Sequence, residues 1–585
     1  MNKLLLILFS LFTGLTATPA TASAKGHATH LTQVEPKKAY KAMLNVITYK
    51  EDGSVLHSGY GFFVQEDGVG VAAYSLFENA ATADVFDYEG NKIPVVRILG
   101  ASSTYDLVKF RVASEKKNDF FDLFQATTTQ VGEKLLLKRY STDKKDPAQS
   151  VTVTKADPYN KFKYYQISAE NSAPNMGCPL YNEAGTLVAI VQQNVEDSAK
   201  EACAIDARFV QNLKINATSA INSDLRSIRI PKGLPDNAKD ALTYIYMLGN
   251  ADSTELATAL NDFIATYPDQ VEGYVQRGTF FANHGQYDRC EADFTQALSL
   301  SENEGATMKP DEVHNELSKI IFQKAVYQPE PPYKDWTLDR ALSEAVQAQT
   351  INPGPNYLLQ QGRCLFSQKN FQGAYEKFYE ICTTKQFDDN WSPQAQAETW
   401  FYAAQSLELA GGDSLQVLAL MDSVIANLPT PLTPATAQYL LQRAQRLEKA
   451  GQYRKAVFDY NQYETVVGPK NLNAYFYFIR EQAELKAHMY QQALDDIRTA
   501  SNLSPEDPNY KIEEALILLQ TGLYDEAISV CEKLLTTLPE NPDCYKIIGI
   551  ANGELGHKEK AITALSKAKS LGDPTVDSFL QKYQK

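Results

Sequence analysis

Three alanines set 34 residues apart constrain this chain more than any other feature. Ala493, Ala527 and Ala561 end the tetrads Tyr490-Gln-Gln-Ala493, Tyr524-Asp-Glu-Ala527 and Lys558-Glu-Lys-Ala561. A fixed period of this length suits a stack of helix pairs, because each pair buries its apolar face only against its neighbours. Small residues let the two helices of a pair approach, and aromatic residues fill the remaining groove. The pattern continues upstream at Gly278, Tyr287 and Phe294, at Gly362, Phe371, Ala374 and Phe378, and at Ala444, Tyr453, Ala456 and Tyr460, while Pro505 and Pro539 close two repeats. These residues are expected to form core, not a site.

The segments resemble tetratricopeptide repeats over roughly 237–585, most strongly from Pro434 onward. The helix pair near Trp400 is irregular, and Gln328-Pro-Glu-Pro-Pro-Tyr333 reads as an insertion. The resemblance implies an all-α solenoid whose first helices line a concave surface for an extended peptide or a partner protein. Tyr475, Phe478, Gln482 and Lys486 fall along one such face, with Gln445, Lys449, Arg363 and Asn283 on others. For each, the alternative is a merely solvated helix residue. The Lys/Asn pattern with which some members of the family clamp a terminal carboxylate is not repeated, so a free carboxyl terminus is not the ligand expected at this surface.

At 585 residues the chain exceeds what one core supports, since single cores stop growing near ~250 to 300 residues. The earlier part differs in kind. From about Ala39 to Ile215 it runs in short β-rich stretches, such as Met43-Leu-Asn-Val-Ile-Thr-Tyr49 and Leu187-Val-Ala-Ile-Val191, punctuated by Asp52-Gly53, Asp67-Gly68 and Glu89-Gly90. Such punctuation predicts hairpins in an all-β barrel or sandwich. Asn216 to Asp236, rich in Asn, Ser and Pro, reads as a linker. The expected organisation is a signal peptide (1–24), a β domain (37–215), a linker (216–236) and a helical array (237–585).

Three segments of the β domain, in order, resemble trypsin-like serine proteases of the high-temperature-requirement branch, which implies a double barrel. Gly59-Tyr-Gly-Phe-Phe-Val64, followed by Val71-Ala-Ala-Tyr-Ser-Leu76, is similar to the segment that carries the catalytic His, and Ser75 stands at the His position. Tyr105-Asp-Leu-Val-Lys-Phe110 places the catalytic acid at Asp106. Pro174-Asn-Met-Gly-Cys-Pro-Leu180 is similar to the nucleophile loop, with Met176 at the nucleophile position. The reaction needs a nucleophile, an imidazole to take its proton and a carboxylate to orient the imidazole. A thioether has no proton to lose, and a serine hydroxyl is too weak a base at neutral pH. The family's second oxyanion donor maps to Pro174, which has no N–H. His57 is the one His between Lys37 and Ile215, and it precedes the glycine-bracketed strand. Cys178 lacks a His to raise its thiolate fraction and reads as a loop Cys that packs or bridges to Cys203. Asp106, with no His to orient, reads as a structural carboxylate.

Lys3, the apolar run Leu4 to Leu15 and Ala22-Ser23-Ala24 form a signal-peptide pattern, with cleavage expected before Lys25 and export to a bacterial periplasm or beyond. No transmembrane segment is expected after cleavage. A formal charge of −15 argues against nucleic acid as partner. Seven cysteines are too few for a disulfide scaffold at this length. No cofactor or metal ligand set is expected. The leading expectation is a non-catalytic cell-envelope scaffold or adaptor that binds partner proteins or peptides through its repeats, the inactive barrel serving for docking. The alternatives are an active trypsin-like endopeptidase and a peptide-binding chaperone that does not cut.

Overall fold

Glycine turns set the hairpins of the β domain. Gly53, Gly68 and Gly90 all take positive φ, 79°, 88° and 83°, at the three expected dipeptides. The computed structural model describes residues 36–584 apart from 115, 195–199, 250–252 and 386–390. The expected signal peptide, 1–24, lies outside the described residues. The chain forms two compact units, one reaching to Arg277 and one beginning at Gly278.

The first unit contains two closed six-stranded antiparallel barrels. The first comprises β1 (Met43–Tyr49), β2 (Val55–Phe63), β3 (Val69–Ala72), β4 (Thr82–Phe86), β5 (Lys92–Ser102) and β6 (Leu107–Val112), in the order β1-β2-β3-β6-β5-β4. The second comprises β7 (Lys134–Leu137), β8 (Gln149–Tyr159), β9 (Phe162–Glu170), β10 (Pro179–Tyr181), β11 (Leu187–Gln192) and β12 (Glu201–Asp206), in the order β10-β11-β12-β9-β8-β7. Closure removes the sheet edges. Alternation along β6 buries Val108, Phe110 and Val112 and turns Lys109 and Arg111 outward. Phe62, Phe121, Tyr181 and Phe209 belong to one cluster that draws on both barrels.

The segment expected as a linker is packed. Leu225, Ile228 and Ile230 are buried, and the backbone at Ile98 in β5 bonds to Pro231 and Gly233. The helix Ser253–Thr266 also belongs to this unit, held to β5 by a bidentate pair from Arg97 to Asp262 at 2.7 and 2.8 Å.

The second unit is built of successive helix pairs. Ala493, Ala527 and Ala561, the 34-residue series, are each fully buried. In several first helices a small residue is covered by a large one sixteen residues later. A Cβ on Gly362 would lie 2.4 Å from the Phe378 ring, and one on Gly549 would lie 2.6 Å from Leu565. The expected insertion folds back by side-chain bonds: Tyr333 and Trp336 both donate to Glu291. No helix among the described residues is long and apolar enough to cross a membrane.

Candidate functional site

The cleft of the β domain is assembled from the loops that follow β3, β5 and β9. Ser75 lies in the short 3₁₀ turn Tyr74–Leu76, Asp106 in the turn before β6, and Met176 at the end of the 3₁₀ turn Ala173–Asn175. Ser75 and Met176 line one cavity of about 220 Å³ together with Ser58, Gly59, Asn171 and Gln193. Asp106 reaches the same place. It accepts the Ser75 N–H at 2.7 Å and the Ser75 Oγ–H at 3.2 Å. The three positions that the resemblance singled out are therefore gathered at one cleft.

Asp106 holds a positive φ of 45°, which Asp tolerates better than most residues. Burial pushes its carboxyl above the ordinary range, and the two bonds from Ser75 oppose that shift. The Ser75 N–H and hydroxyl thus take one oxygen each of the Asp106 carboxylate. No histidine lines this cavity among the described residues. His57 sits in β2 opposite Thr48, with its backbone N–H on the Thr48 hydroxyl.

The loop beneath Met176 is closed on itself. The Met176 N–H donates to the Ala173 carbonyl at 3.1 Å, and the Asn175 N–H donates to the Ser172 carbonyl at 3.0 Å. Asn175 is fully buried. Its side chain gives a bond of 2.7 Å to the Glu170 carbonyl and takes one of 2.8 Å from Arg139. Pro174 has no N–H, and the N–H of Met176 is already committed. Sequence reading found the first of these and missed the second, because a turn closing onto Ala173 leaves no signature in residue types.

Cys178 is buried in the second barrel, where burial pushes its thiol up to about 12. None of the seven cysteines is in a disulfide, so of the two readings of Cys178 the bridge to Cys203 is not formed. The topology explains this. Cys178 bonds through its carbonyl to Val191, and Cys203 pairs with Gln192 from the other side of β11. Two inter-strand spacings, about 9 to 10 Å, then separate them, beyond the ~7 Å reach of a disulfide. No group of three or more His, Cys, Asp or Glu able to hold a metal occurs among the described residues.

On the helical unit, Tyr475, Phe478 and Gln482 share a face of the helix Ala474–Lys486 and meet the next first helix, Pro508–Gln520. The Phe478 ring lies 5.7 Å from that of Tyr510, and Gln482 donates to Glu513 at 3.2 Å. Tyr475 is 62% exposed. Lys486 turns to the ring of Tyr453, 5.6 Å away. Lys449 pairs with Glu408 at 3.4 Å, with Gln445 exposed on the same helix and Arg363 and Asn283 exposed on two other first helices.

Beneath the first face lies a charged interior absent from the sequence reading. Arg480 donates to Asp496 at 2.6 and 2.8 Å and to Glu464 at 2.6 Å, with Glu484 at 4.0 Å. Glu481 and Glu484 are buried, each with one oxygen lacking a partner, and burial pushes both carboxyls up to about 8. A signal was available. Glu481 stands sixteen residues before Ile497, where other repeats carry Gly or Ala.

Residues 482–542 match the tetratricopeptide-repeat family. No curated protein matches the chain. Similar solved structures include the protease domain of MamO from Magnetospirillum magneticum in its apo form, 16% identical, covering 32% of this chain and 99% of that one, with a TM-score of 0.26.

Proposed function

We propose that this protein is a non-catalytic scaffold or adaptor of the cell envelope that holds a partner polypeptide along the first helices of its repeats. The observation that carries the reading is a separation of duties within one helix. In Ala474–Lys486, Tyr477 and Ala483 are buried for packing, while Tyr475 is left 62% exposed beside Phe478 and Gln482. A surface free to vary over a fixed core is what repeat arrays offer a partner, and aromatic side chains beside polar groups are typical anchors.

The barrels are proposed to be inactive. Ser75 offers no general base, Met176 no nucleophile, and neither Pro174 nor the committed N–H of Met176 stabilises an oxyanion. Export with cleavage before Lys25 is part of the same proposal, and amino-terminal sequencing of the mature chain tests it. A second reading, in which the barrels hold a peptide without cutting it, is favoured by the open cavity of about 220 Å³.

One experiment separates the two. Partners cross-linked to the full chain in envelope extracts are compared among the wild type, the double variant Tyr475→Ala/Phe478→Ala and the cleft-filling variant Ala173→Trp, with thermal unfolding of each. Loss of the partner in the double variant alone supports the repeat surface. Loss in Ala173→Trp alone moves recognition to the cleft and overturns the proposal.

A further inference from the structure

Away from the cleft, the first unit holds a second and larger cavity of about 600 Å³ over the outer face of the first barrel. Its floor is β6, which presents Lys109 and Arg111 on one side by simple alternation. Two later stretches of chain form its walls. Gly100 lets the first come close: a Cβ there would lie 2.5 Å from the Leu213 carbonyl carbon and 2.8 Å from the Lys214 nitrogen, so any other residue would push that segment away. The second is the run tied to Ile98 by its backbone, which brings Leu234 and Asp236 over the same face.

The charges around the cavity are unevenly satisfied. Arg111 is paired with Asp67 at 2.9 Å, and Lys214 with Asp236 at 3.0 Å. Among the described residues, none forms a hydrogen bond or ion pair with the Lys109 ammonium. Burial and the neighbouring charge of Lys214 bring its pKa down to about 8, and Asp236 offsets this only in part. A half-buried cation that makes no ion pair of its own, in a chain of formal charge −15, is a position at which an anion gains.

The rim supplies the other half of a binding site. Phe124 is 83% exposed. It is nonetheless held in place: its N–H donates to the Asp122 carboxylate at 2.8 Å, and Gln211 donates to the adjoining Leu123 carbonyl at 2.7 Å. Leu99, Leu123, Ile215 and Leu234 line the cavity between this ring and Lys109. The volume is that of a site for a small ligand or a short peptide end, ~300 to 1,000 Å³.

We propose that this cavity binds a carboxylate carried on an apolar or aromatic group, the carboxylate on Lys109 and the apolar part against Phe124. The carboxylate has two possible sources, an acidic side chain within a peptide or the carboxyl terminus of a chain.

Titration calorimetry on the full chain tests the proposal with three probes: N-acetylphenylalanine, its neutral amide, and the amide of acetyl-Glu-Phe. At least one acid is expected to bind, and the neutral amide is expected to bind at least about tenfold more weakly, in line with a charge-assisted bond. Preference for N-acetylphenylalanine identifies a carboxyl terminus as the source, and preference for the Glu peptide identifies a side chain. Lys109→Met should weaken the acid about tenfold to a hundredfold, and Phe124→Ala about threefold. Phe124 is exposed, so its variant tests the site even if Lys109→Met unfolds. Equal binding of acid and amide, wild-type affinity in a folded variant of both residues, or no binding of either acid at millimolar concentration overturns the proposal.

Discussion

The cleft of the barrels and the interior of the repeat 474–503 treat their ionisable residues in opposite ways. In the cleft, Asp106 faces solvent-accessible Ser75 and is satisfied by two bonds from that one residue. In the repeat, Arg480 is buried among Glu464, Asp496 and Glu484, with Glu481 close behind on the same helix. Asp106 is half-buried beside an open cleft, so water reaches it when a partner is lost. A charge in the interior is held by its neighbours, and each change leaves something unpaired. The difference teaches where substitution is cheap: chemistry at the cleft can change with the fold untouched, whereas the interior network ties sequence to stability.

The sharpest way to break this contrast is Arg480→Ala. Removing the guanidinium leaves Asp496 without two donors and Glu464 without one, in a region where Arg480 itself is 7% exposed. The expected loss is about 3 to 5 kcal/mol, as for a broken buried pair. Repeat arrays unfold by neighbouring units, so denaturant unfolding of the full chain should be read beside hydrogen exchange across 453–503. An unfolding midpoint within error of wild type would show that the network is dispensable.

Packing should come next in size. Gly362→Val places a branched side chain where a single Cβ already lies 2.4 Å from Phe378, and the expected loss is about 1 to 3 kcal/mol. The check is the same denaturant series, with Asn283→Ala as an exposed control that should stay within about 0.5 kcal/mol.

A smaller effect is carried by Glu481 and is visible only against pH. Its carboxyl titrates near 8 in the fold because of burial, with Glu513 and Asp496 adding to the shift and Gln482 and Lys486 opposing it. Glu484 titrates near 8 for the same leading reason. Both pKa values lie above the unfolded one, so the folded chain binds more protons than the unfolded chain between about pH 4.5 and 8. The stability they confer is full below about 4.5 and is lost as pH rises through 8. Glu481→Gln should flatten that fall and leave the variant about 1 to 2 kcal/mol more stable than wild type at pH 9, because an amide has no charge to bury. Parallel midpoints for the two proteins from pH 5 to 9 would place the titration elsewhere.

Much of the architecture was legible because it rests on residue types that have few substitutes. Gly53, Gly68 and Gly90 mark turns that need positive φ, and the 34-residue alanines mark a contact that excludes larger side chains. The segments around Ser75, Asp106 and Met176 were legible because all three, in order, resemble those of one protease family, and they line or reach one cleft. What was illegible depends on partners distant in sequence. Nothing near Pro231 announces a backbone ladder with Ile98, so the run 216–236 read as a linker. Cys178 and Cys203 share a barrel but flank β11 from opposite sides, a fact of strand order and not of spacing. The depth of Glu481 is signalled only by its place sixteen residues before Ile497, since charge alone says nothing about depth.

The smallest expected effect is the one that best sharpens the contrast. Met176→Ser places an oxygen nucleophile at the cleft, and if turnover depended on that residue alone, it would appear. None is expected. A new serine would find no imidazole to take its proton, because no histidine among the described residues lines the cavity and Ser75 bonds to Asp106 at 3.2 Å. Its own N–H would remain on the Ala173 carbonyl, and Pro174 would still lack one. Each missing oxyanion donor costs about 10²- to 10³-fold in rate even in an intact triad. The variant should also fold normally, because Met176 is half-buried at the rim of an open cavity and its loop is fixed by Asn175. The measurement is release of a fluorophore from a broad peptide library, with a serine-directed phosphonate to count competent sites. Hydrolysis by the purified wild-type chain, abolished by Asp106→Asn, would overturn the proposed inactivity outright. Hydrolysis by Met176→Ser alone would show that a base and an oxyanion donor are supplied by groups other than Ser75, Pro174 and the Met176 amide.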